Sequence, residues 1–122
     1  MKVLIVDDSR YMRKVVQSYF TEMKLNCIYT EASNGQEALE LLKAGPVDLV
    51  MLDWNMPRMS GIDFLKEVRS MEQYKKLPVI MVTSESAKLN VIEAFKNGVT
   101  AYLVKPIDGK AFREKISNIV NR

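Results

Sequence analysis

Five short apolar segments, separated by longer stretches with a helical spacing of apolar residues, constrain what this chain can fold into. The segments cover residues 3–6, 27–30, 49–52, 79–82 and 102–104, and the second of them is the most polar. Runs of this length that are rich in Val, Ile and Leu predict buried β-strands. Parallel strands require long crossovers, whereas antiparallel hairpins do not, and the intervening stretches are long enough for helices. The pattern therefore predicts one parallel sheet.

The stretches after the first three strands each begin with residues that favour a helix start. The first predicted helix is capped by Asp8 and Ser9, before apolar residues that recur every three or four positions. The second begins with the capping-box spacing of residues 33–36 and stops at the Gly-Pro pair 45–46. The third begins at residues 60–63.

Two more helices complete the alternation. The fourth is predicted over residues 86–97, with Leu89, Ile92 and Phe95 facing inward. The fifth begins at Asp108, and its apolar stripe continues towards the end of the chain. Strands and helices therefore alternate strictly from one end of the sequence to the other.

Strict alternation is typical of a doubly wound α/β fold, with helices on both faces of a parallel sheet. For five strands the common arrangement is flavodoxin-like, (βα)5, with strand order 2-1-3-4-5, and the polar second strand suits an edge. The chain has 122 residues, of which 48% are hydrophobic, enough for one domain with its own core. We expect residues 1–122 to form one such domain.

Composition excludes several classes of function. The formal charge is only +3, from 18 bases and 15 acids, and the bases are dispersed, so nucleic acid is not expected as the main partner. The sequence has no signal-peptide core and no apolar stretch of membrane-spanning length, which predicts a cytoplasmic protein without a membrane partner. A monomer is expected. The one cysteine, Cys27, cannot form an internal disulfide and is expected to be buried as a small apolar side chain.

Chemically reactive side chains stand at four of the five strand ends. They are Asp7 and Asp8, Asp53, Thr83 and Lys105. The carboxyl ends of parallel strands meet at one edge of a sheet, and strands one and three flank the point where such sheets bind ligands. Taken singly, Asp8 could be a helix cap, Asp53 a turn former, Thr83 structural and Lys105 a solvated strand end. Their coincidence at one edge favours a shared site.

Three converging carboxylates require a counter-charge, because each pair at ~4 Å repels by about 4 kcal/mol at an effective dielectric near 20. A hard divalent cation with oxygen ligands provides it, and Mg²⁺ suits a site with few carboxylates and a phosphate. Lys105 and the Thr83 hydroxyl could then contact phosphoryl oxygens. Since the sequence contains no histidine, the chemistry falls to carboxylates, lysine and hydroxyls. A metal, a lysine and a hydroxyl around a carboxylate nucleophile are the groups expected for phosphoryl transfer.

At this point the sequence resembles a known family, the receiver domains of two-component response regulators. The motifs that carry the resemblance are Asp7-Asp8, Asp53-Trp54-Asn55-Met56-Pro57 followed by Gly61, Thr83, and Lys105-Pro106. The resemblance implies that Asp53 is the phosphoacceptor and that Mg²⁺ is bound by Asp8, Asp53 and the backbone carbonyl of Asn55, with Asp7 contributing indirectly. It also implies that Thr83 and Tyr102 form a switch pair, and that the Lys105-Pro106 bond is cis.

Within this family the sequence is most similar to the stand-alone, CheY-like chemotaxis regulators. That similarity implies a separate histidine kinase as phosphodonor and a partner surface on helix four, strand five and helix five that meets the flagellar motor switch protein. Residues expected on this surface are Lys88, Val91, Tyr102 and Lys115. Asn55 and Glu85, two positions beyond the phosphoacceptor and the switch hydroxyl, are expected to set the lifetime of the phosphorylated state.

Other functions use similar residues. A receiver that passes phosphate to a histidine phosphotransfer protein in a phosphorelay would share every motif. A Mg²⁺-dependent phosphohydrolase with an aspartate nucleophile would want a second aspartate where Asn55 stands. A dinucleotide-binding enzyme would need a glycine-rich first turn, which residues 7–10 do not supply. The favoured prediction is a regulatory protein with its own autophosphorylation and autodephosphorylation activity, and not an enzyme.

Overall fold

All ten predicted elements are present in the computed structural model, which describes residues 1–121. The strands and helices are β1 (Lys2–Val6), α1 (Arg10–Glu22), β2 (Ile28–Ala32), α2 (Gly35–Ala44), β3 (Leu49–Leu52), α3 (Gly61–Ser70), β4 (Val79–Thr83), α4 (Lys88–Lys96), β5 (Ala101–Val104) and α5 (Gly109–Val120). A 3₁₀ turn, Glu72–Tyr74, lies between α3 and β4. The predicted strand-helix alternation is confirmed.

The sheet is parallel and has the order β2-β1-β3-β4-β5, as predicted. Every residue of β3 and β4 is buried, as expected for central strands that are covered by helices on both faces. Strand β2 forms an edge, where Ile28 is 65% exposed. Strand β2 is shifted from residues 27–30 to 28–32, because its first ladder pair is Lys2 with Ile28.

Two apolar cores lie on opposite faces of the sheet. One contains side chains of α1 and α5, with the ring centroids of Phe20 and Phe112 5.0 Å apart in an edge-to-face arrangement. The other contains side chains of α2, α3 and α4, including Leu42, Phe64 and Ala94. The helices on both faces hold the carboxyl edge of the sheet in place.

Helix capping differs from the prediction at two starts. Ser9 alone caps α1, since its side chain accepts a hydrogen bond from the Met12 N–H, and Asp8 makes no capping bond there. Asn34 caps α2 by accepting from the Glu37 N–H at 2.8 Å. Asp8 is consequently free of the structural role that would compete with a functional one.

The prediction for the fourth helix is wrong in two respects. Helix α4 begins at Lys88 rather than residue 86, and no side chain caps it at Ala87. Leu89 is 79% exposed, and Ile92 and Phe95 are also exposed, whereas the small Ala94 is buried. The helix packs on the sheet through its small residue, so that its large apolar side chains face outward.

Cys27 is only half-buried, so the expectation of a buried thiol is wrong. It lies one residue before edge strand β2, where the sheet gives less cover. Within residues 1–121, no helix has the length and apolarity needed to cross a bilayer.

Candidate functional site

Three carboxylates converge where β1 and β3 end. Val6 pairs with Leu52 in the ladder, and the Asp53 N–H donates to the Val6 carbonyl at 2.9 Å, so the residues that follow both strands lie side by side. Carboxylate oxygens of Asp7, Asp8 and Asp53 all lie within 4.8 Å of one another. Asp7 and Asp53 are buried, whereas Asp8 is exposed. The acidic cluster therefore opens to solvent on the Asp8 side.

Lys105 reaches this cluster from the far end of the sheet edge. Its Nζ lies 2.8 Å from Asp7 Oδ2 and 3.5 Å from Asp53 Oδ2. Its backbone N–H donates to the Thr83 carbonyl at 2.9 Å, which fixes where the chain leaves β5. The Lys105-Pro106 peptide bond is cis, as expected. One ammonium thus offsets part of the charge of three carboxylates.

The charge on Asp53 remains unfavourable in this setting. Burial raises the pKa of Asp53; the ammonium of Lys105 opposes this effect, and the charge of Asp7 adds to it. A divalent cation among these oxygens would offset both the burial and the repulsion. The donors are hard oxygens, of the type that Mg²⁺ prefers, so the residues present fit such an ion.

Gly61 lets α3 begin in contact with the backbone of Asp53. Its N–H donates to the Trp54 carbonyl at 2.8 Å. A Cβ at this position would lie 2.0 Å from the Asp53 carbonyl oxygen, closer than any side chain can come. The glycine in the sequence motif is therefore required by this close approach, which holds the loop after β3 against α3.

Thr83, Glu85 and Tyr102 form a chain of hydrogen bonds beside the acids. Thr83 is fully buried, and its hydroxyl accepts from the Glu85 N–H at 3.3 Å. The half-buried Tyr102 donates its hydroxyl proton to the Glu85 carbonyl at 2.5 Å. Burial raises the pKa of Tyr102, and the charges of Glu85 and Asp53 raise it further. The two predicted switch residues are thus connected through the backbone of Glu85.

The Glu85 side chain connects two loops at the mouth of the site. Asn55 Nδ2 donates to Glu85 Oε1 at 2.8 Å, so the two predicted lifetime residues contact each other. Asn90, in the first turn of α4, donates from Nδ2 to Glu85 Oε2 at 3.1 Å. Nothing in the sequence indicated Asn90, because its partner lies in a neighbouring loop.

The predicted partner residues lie on α4, β5 and α5. Lys88 is exposed, whereas Val91 and Lys115 are half-buried. Lys115 and Phe95 line a cleft of about 280 Å³ between α4 and α5. Exposed apolar side chains on the same elements are Leu89, Ile92, Phe95, Val104 and Val120. The apolar spacing of α4 did not indicate that part of this surface, because Leu89, Ile92 and Phe95 were expected to face the core.

Fold and site together define a class of protein. The sequence profile of the response regulator receiver domain matches residues 3–117, and the chain belongs to that family.

Within the family, the chain is similar to chemotaxis proteins. It is 44% identical to chemotaxis protein CheY-3 of Vibrio cholerae over 122 residues, which cover 100% of this chain and 93% of that protein. It is 43% identical to chemotaxis protein CheY of Pseudomonas aeruginosa, covering 100% of this chain and 98% of that protein.

Solved structures of chemotaxis proteins have the same fold. Vibrio cholerae CheY4 superposes with a TM-score of 0.85 at 33% identity and covers 97% of both chains. The CheY of the Borrelia burgdorferi CheX-CheY-BeF3-Mg²⁺ complex has a TM-score of 0.89 at 30% identity, covering 98% of this chain and 89% of that one.

Proposed function

We propose that residues 1–122 form a receiver domain that accepts a phosphoryl group on Asp53 from a separate histidine kinase, in a Mg²⁺-dependent reaction. The observation that carries this proposal is the buried Asp53 carboxylate, which lies between two other acids and 3.5 Å from the Lys105 ammonium. The protein acts as a cytoplasmic monomer whose surface changes on phosphorylation.

In the transfer step, an Asp53 carboxylate oxygen attacks the phosphorus of a phosphohistidine. The new O–P bond forms as the N–P bond breaks, and the imidazole leaves with the electron pair. Lys105 and the Thr83 hydroxyl lie at neighbouring strand ends, where they can bind the phosphoryl oxygens. Asp8, Asp53 and the Asn55 carbonyl would hold the metal, with Asp7 indirectly. When bound, Mg²⁺ supplies charge neutralisation at the phosphoryl oxygens.

Phosphorylation is then transmitted through Thr83, Glu85 and Tyr102. A phosphoryl oxygen that accepts the Thr83 hydroxyl proton would reorient this hydroxyl, which itself accepts from the Glu85 N–H, and the Glu85 carbonyl in turn accepts from Tyr102. The surface that responds contains Lys88, Val91, Tyr102 and Lys115. Its apolar patch, Leu89, Ile92 and Phe95, is available for a partner. The similarity to chemotaxis proteins points to the flagellar motor switch protein as that partner.

The lifetime of the signal is set by Asn55 and Glu85 at the mouth of the site. They hydrogen-bond each other at 2.8 Å. Because one is a small amide and the other a flexible carboxylate, we infer that water can pass them to reach the phosphorus. The aspartyl phosphate is therefore expected to be short-lived and to be removed by the protein's own autodephosphorylation activity. A rapidly reset signal suits chemotaxis.

Intact-mass spectrometry with acetyl phosphate and Mg²⁺ tests the proposal directly. The wild-type protein should gain one phosphoryl group, and Asp53→Asn should gain none. Asp63→Asn, which changes an exposed aspartate in the first turn of α3, is the matched control and should be labelled like wild type. Equal labelling of Asp53→Asn and wild type would refute the assignment.

The partner is tested by pull-down from flagellated cells of the native species, with beryllofluoride and Mg²⁺ present or absent. The motor switch protein should be recovered with the beryllofluoride-loaded protein and lost with Leu89→Ser. Recovery that does not depend on beryllofluoride would separate binding from phosphorylation and contradict the switch.

A further inference from the structure

Arg13 connects the acidic loop, residues 7–9 after β1, to the edge strand β2, although no sequence motif singles it out. Its Nη1 donates to the backbone carbonyl of Asp7 at 2.6 Å, and its Nε donates to Glu31 Oε1 at 3.0 Å. The side chain is only 15% exposed. Arg13 lies one turn inside α1, so its side chain runs back towards the end of β1.

The Asp7 carbonyl belongs to the peptide unit that joins Asp7 to Asp8. The Asp7 side chain is already held, since its Oδ1 accepts from the Ser9 N–H at 2.9 Å and its Oδ2 lies 2.8 Å from Lys105 Nζ. Asp8 is exposed, so the position of its carboxylate depends on the backbone that carries it. The bond from Arg13 fixes that backbone.

Glu31 anchors the guanidinium in place. It lies on β2 and accepts from both Arg13 and Lys14, the latter at 3.1 Å. Burial opposes ionisation of Glu31, but hydrogen bonds from Lys14 and Arg13 outweigh it and lower the pKa of Glu31, so it is a carboxylate at neutral pH. Lys14 contacts the same carboxylate without reaching the acidic loop, which makes it a natural control.

We propose that Arg13 is a positioning residue, which holds the Asp7–Asp8 peptide in the geometry that a divalent cation requires, with Glu31 as its anchor. The planar guanidinium has several donors in a fixed arrangement and can bind the carboxylate and the carbonyl together. A lysine ammonium is a point charge on a flexible stem and holds this pair less well. The inference rests on the proposed function, because it concerns the same metal site.

Arg13→Lys keeps the positive charge but removes the planar guanidinium that binds the carboxylate and the carbonyl together. Titration of Mg²⁺, followed by Trp54 fluorescence, should show an affinity weakened about 3- to 10-fold, at or below the lower end of the range for residues that orient metal ligands. Glu31→Gln loosens the anchor and should weaken Mg²⁺ binding about 2- to 5-fold. If Arg13→Lys does not fold, the Mg²⁺ affinity of Glu31→Gln tests the proposal in its place. Lys14→Ala should bind Mg²⁺ within about 2-fold of wild type, because Lys14 pairs with the exposed side of Glu31 and, among residues 1–121, contacts none of the three clustered aspartates.

Arg69→Lys separates positioning from general stability. Arg69 also holds two backbone segments together, on the side of the sheet where the strands begin. Its Nη2 donates to the Gly98 carbonyl at 2.8 Å and its Nη1 to the Tyr74 carbonyl at 2.7 Å. Its replacement should lower the urea midpoint of unfolding and leave Mg²⁺ affinity unchanged. An equal loss of affinity in Arg69→Lys and Arg13→Lys would overturn the proposal.

Phosphorylation kinetics supply a second readout. With acetyl phosphate, the Mg²⁺ concentration for half-maximal labelling should rise in Arg13→Lys, while the rate at saturating Mg²⁺ stays within about 2-fold of wild type, since Arg13 contacts no reacting group. Wild-type affinity in a folded Arg13→Lys would overturn the inference alone. A wild-type protein that neither binds Mg²⁺ nor becomes labelled would overturn the proposed function and this inference with it.

Discussion

Replacing Asp53 with Asn should make the folded protein more stable at neutral pH without Mg²⁺, even though the change weakens an ion pair. Carboxylate oxygens of Asp7 and Asp8 lie within 4.8 Å of one on Asp53. At an effective dielectric near 20, each repulsion amounts to about 3.5 kcal/mol at that distance. The attraction between Asp53 and Lys105, at 3.5 Å, amounts to about 5 kcal/mol at the same dielectric. Repulsion therefore exceeds attraction by about 2 kcal/mol.

Burial of the Asp53 charge acts in the same direction, whereas solvent around the exposed Asp8 screens part of the repulsion. We expect Asp53→Asn to raise the free energy of unfolding by about 1–2 kcal/mol, or the midpoint of thermal unfolding by about 4–8 °C. Urea and thermal unfolding in EDTA, followed by circular dichroism, measure it. Asp63→Asn removes an exposed charge from a helix N-terminus and should lower stability by up to ~1 kcal/mol.

The pH dependence of stability tests a second time whether Asp53→Asn raises the free energy of unfolding. Burial, opposed by Lys105 and reinforced by Asp7, raises the pKa of Asp53 in the folded state, so the folded protein holds this proton more tightly than the unfolded chain does. The resulting stabilisation is present below the usual aspartate pKa of ~4 and is lost as pH rises through the raised value. The difference in the free energy of unfolding between Asp53→Asn and wild type should therefore be small near pH 4 and increase towards pH 7. A loss of stability of about 1 kcal/mol or more in Asp53→Asn at pH 7 would show that the Lys105 attraction dominates.

Three further outcomes are expected. Titration of Mg²⁺ should change the fluorescence of Trp54 in wild type, and Asp8→Ala should blunt that change, because it removes a proposed metal ligand; an unchanged curve would place the ion elsewhere. Loss of phosphate from the labelled protein, followed by intact mass in Mg²⁺ buffer, should slow several-fold in Asn55→Lys and Glu85→Tyr, since larger side chains obstruct the approach of water; unchanged rates in both would contradict the lifetime role. Phe112→Ala should lower the free energy of unfolding in urea by about 3–5 kcal/mol, because Phe112 is fully buried between two other aromatic rings; a loss below ~1 kcal/mol would mean that the core refills the space.

The fold and the membership of the acidic cluster could be predicted from local sequence. Short apolar runs and helical spacing predict alternating strands and helices, and alternation implies a parallel sheet with all carboxyl ends at one edge. Asp7, Asp53 and Lys105 follow such runs directly, so topology alone brings them together across long separations in sequence. That is why the carboxylate cluster and its lysine were found, and why the strand order was predicted correctly.

Helix α4 shows where the sequence was insufficient. An apolar stripe has the same spacing whether it packs on the sheet or faces outward, and Leu89, Ile92 and Phe95 were assigned to the core for that reason. In the structure Ala94 takes the position against the sheet, because α4 packs closely through a small side chain. Which side of a helix is covered depends on the neighbouring elements, and the periodicity of the helix does not contain that information.

The contacts that hold the site in shape were decided by tertiary structure alone. Most of α1 and a loop separate Arg13 from Glu31, and α3 and β4 separate Asn55 from Glu85, so each pair meets only when the sheet is assembled. Hydrogen bonds between side chains depend on distances of a fraction of an ångström and on rotamers set by packing. The sequence by itself determined which chemistry stands at the sheet edge, whereas the assembled fold decided which groups hold that chemistry in place.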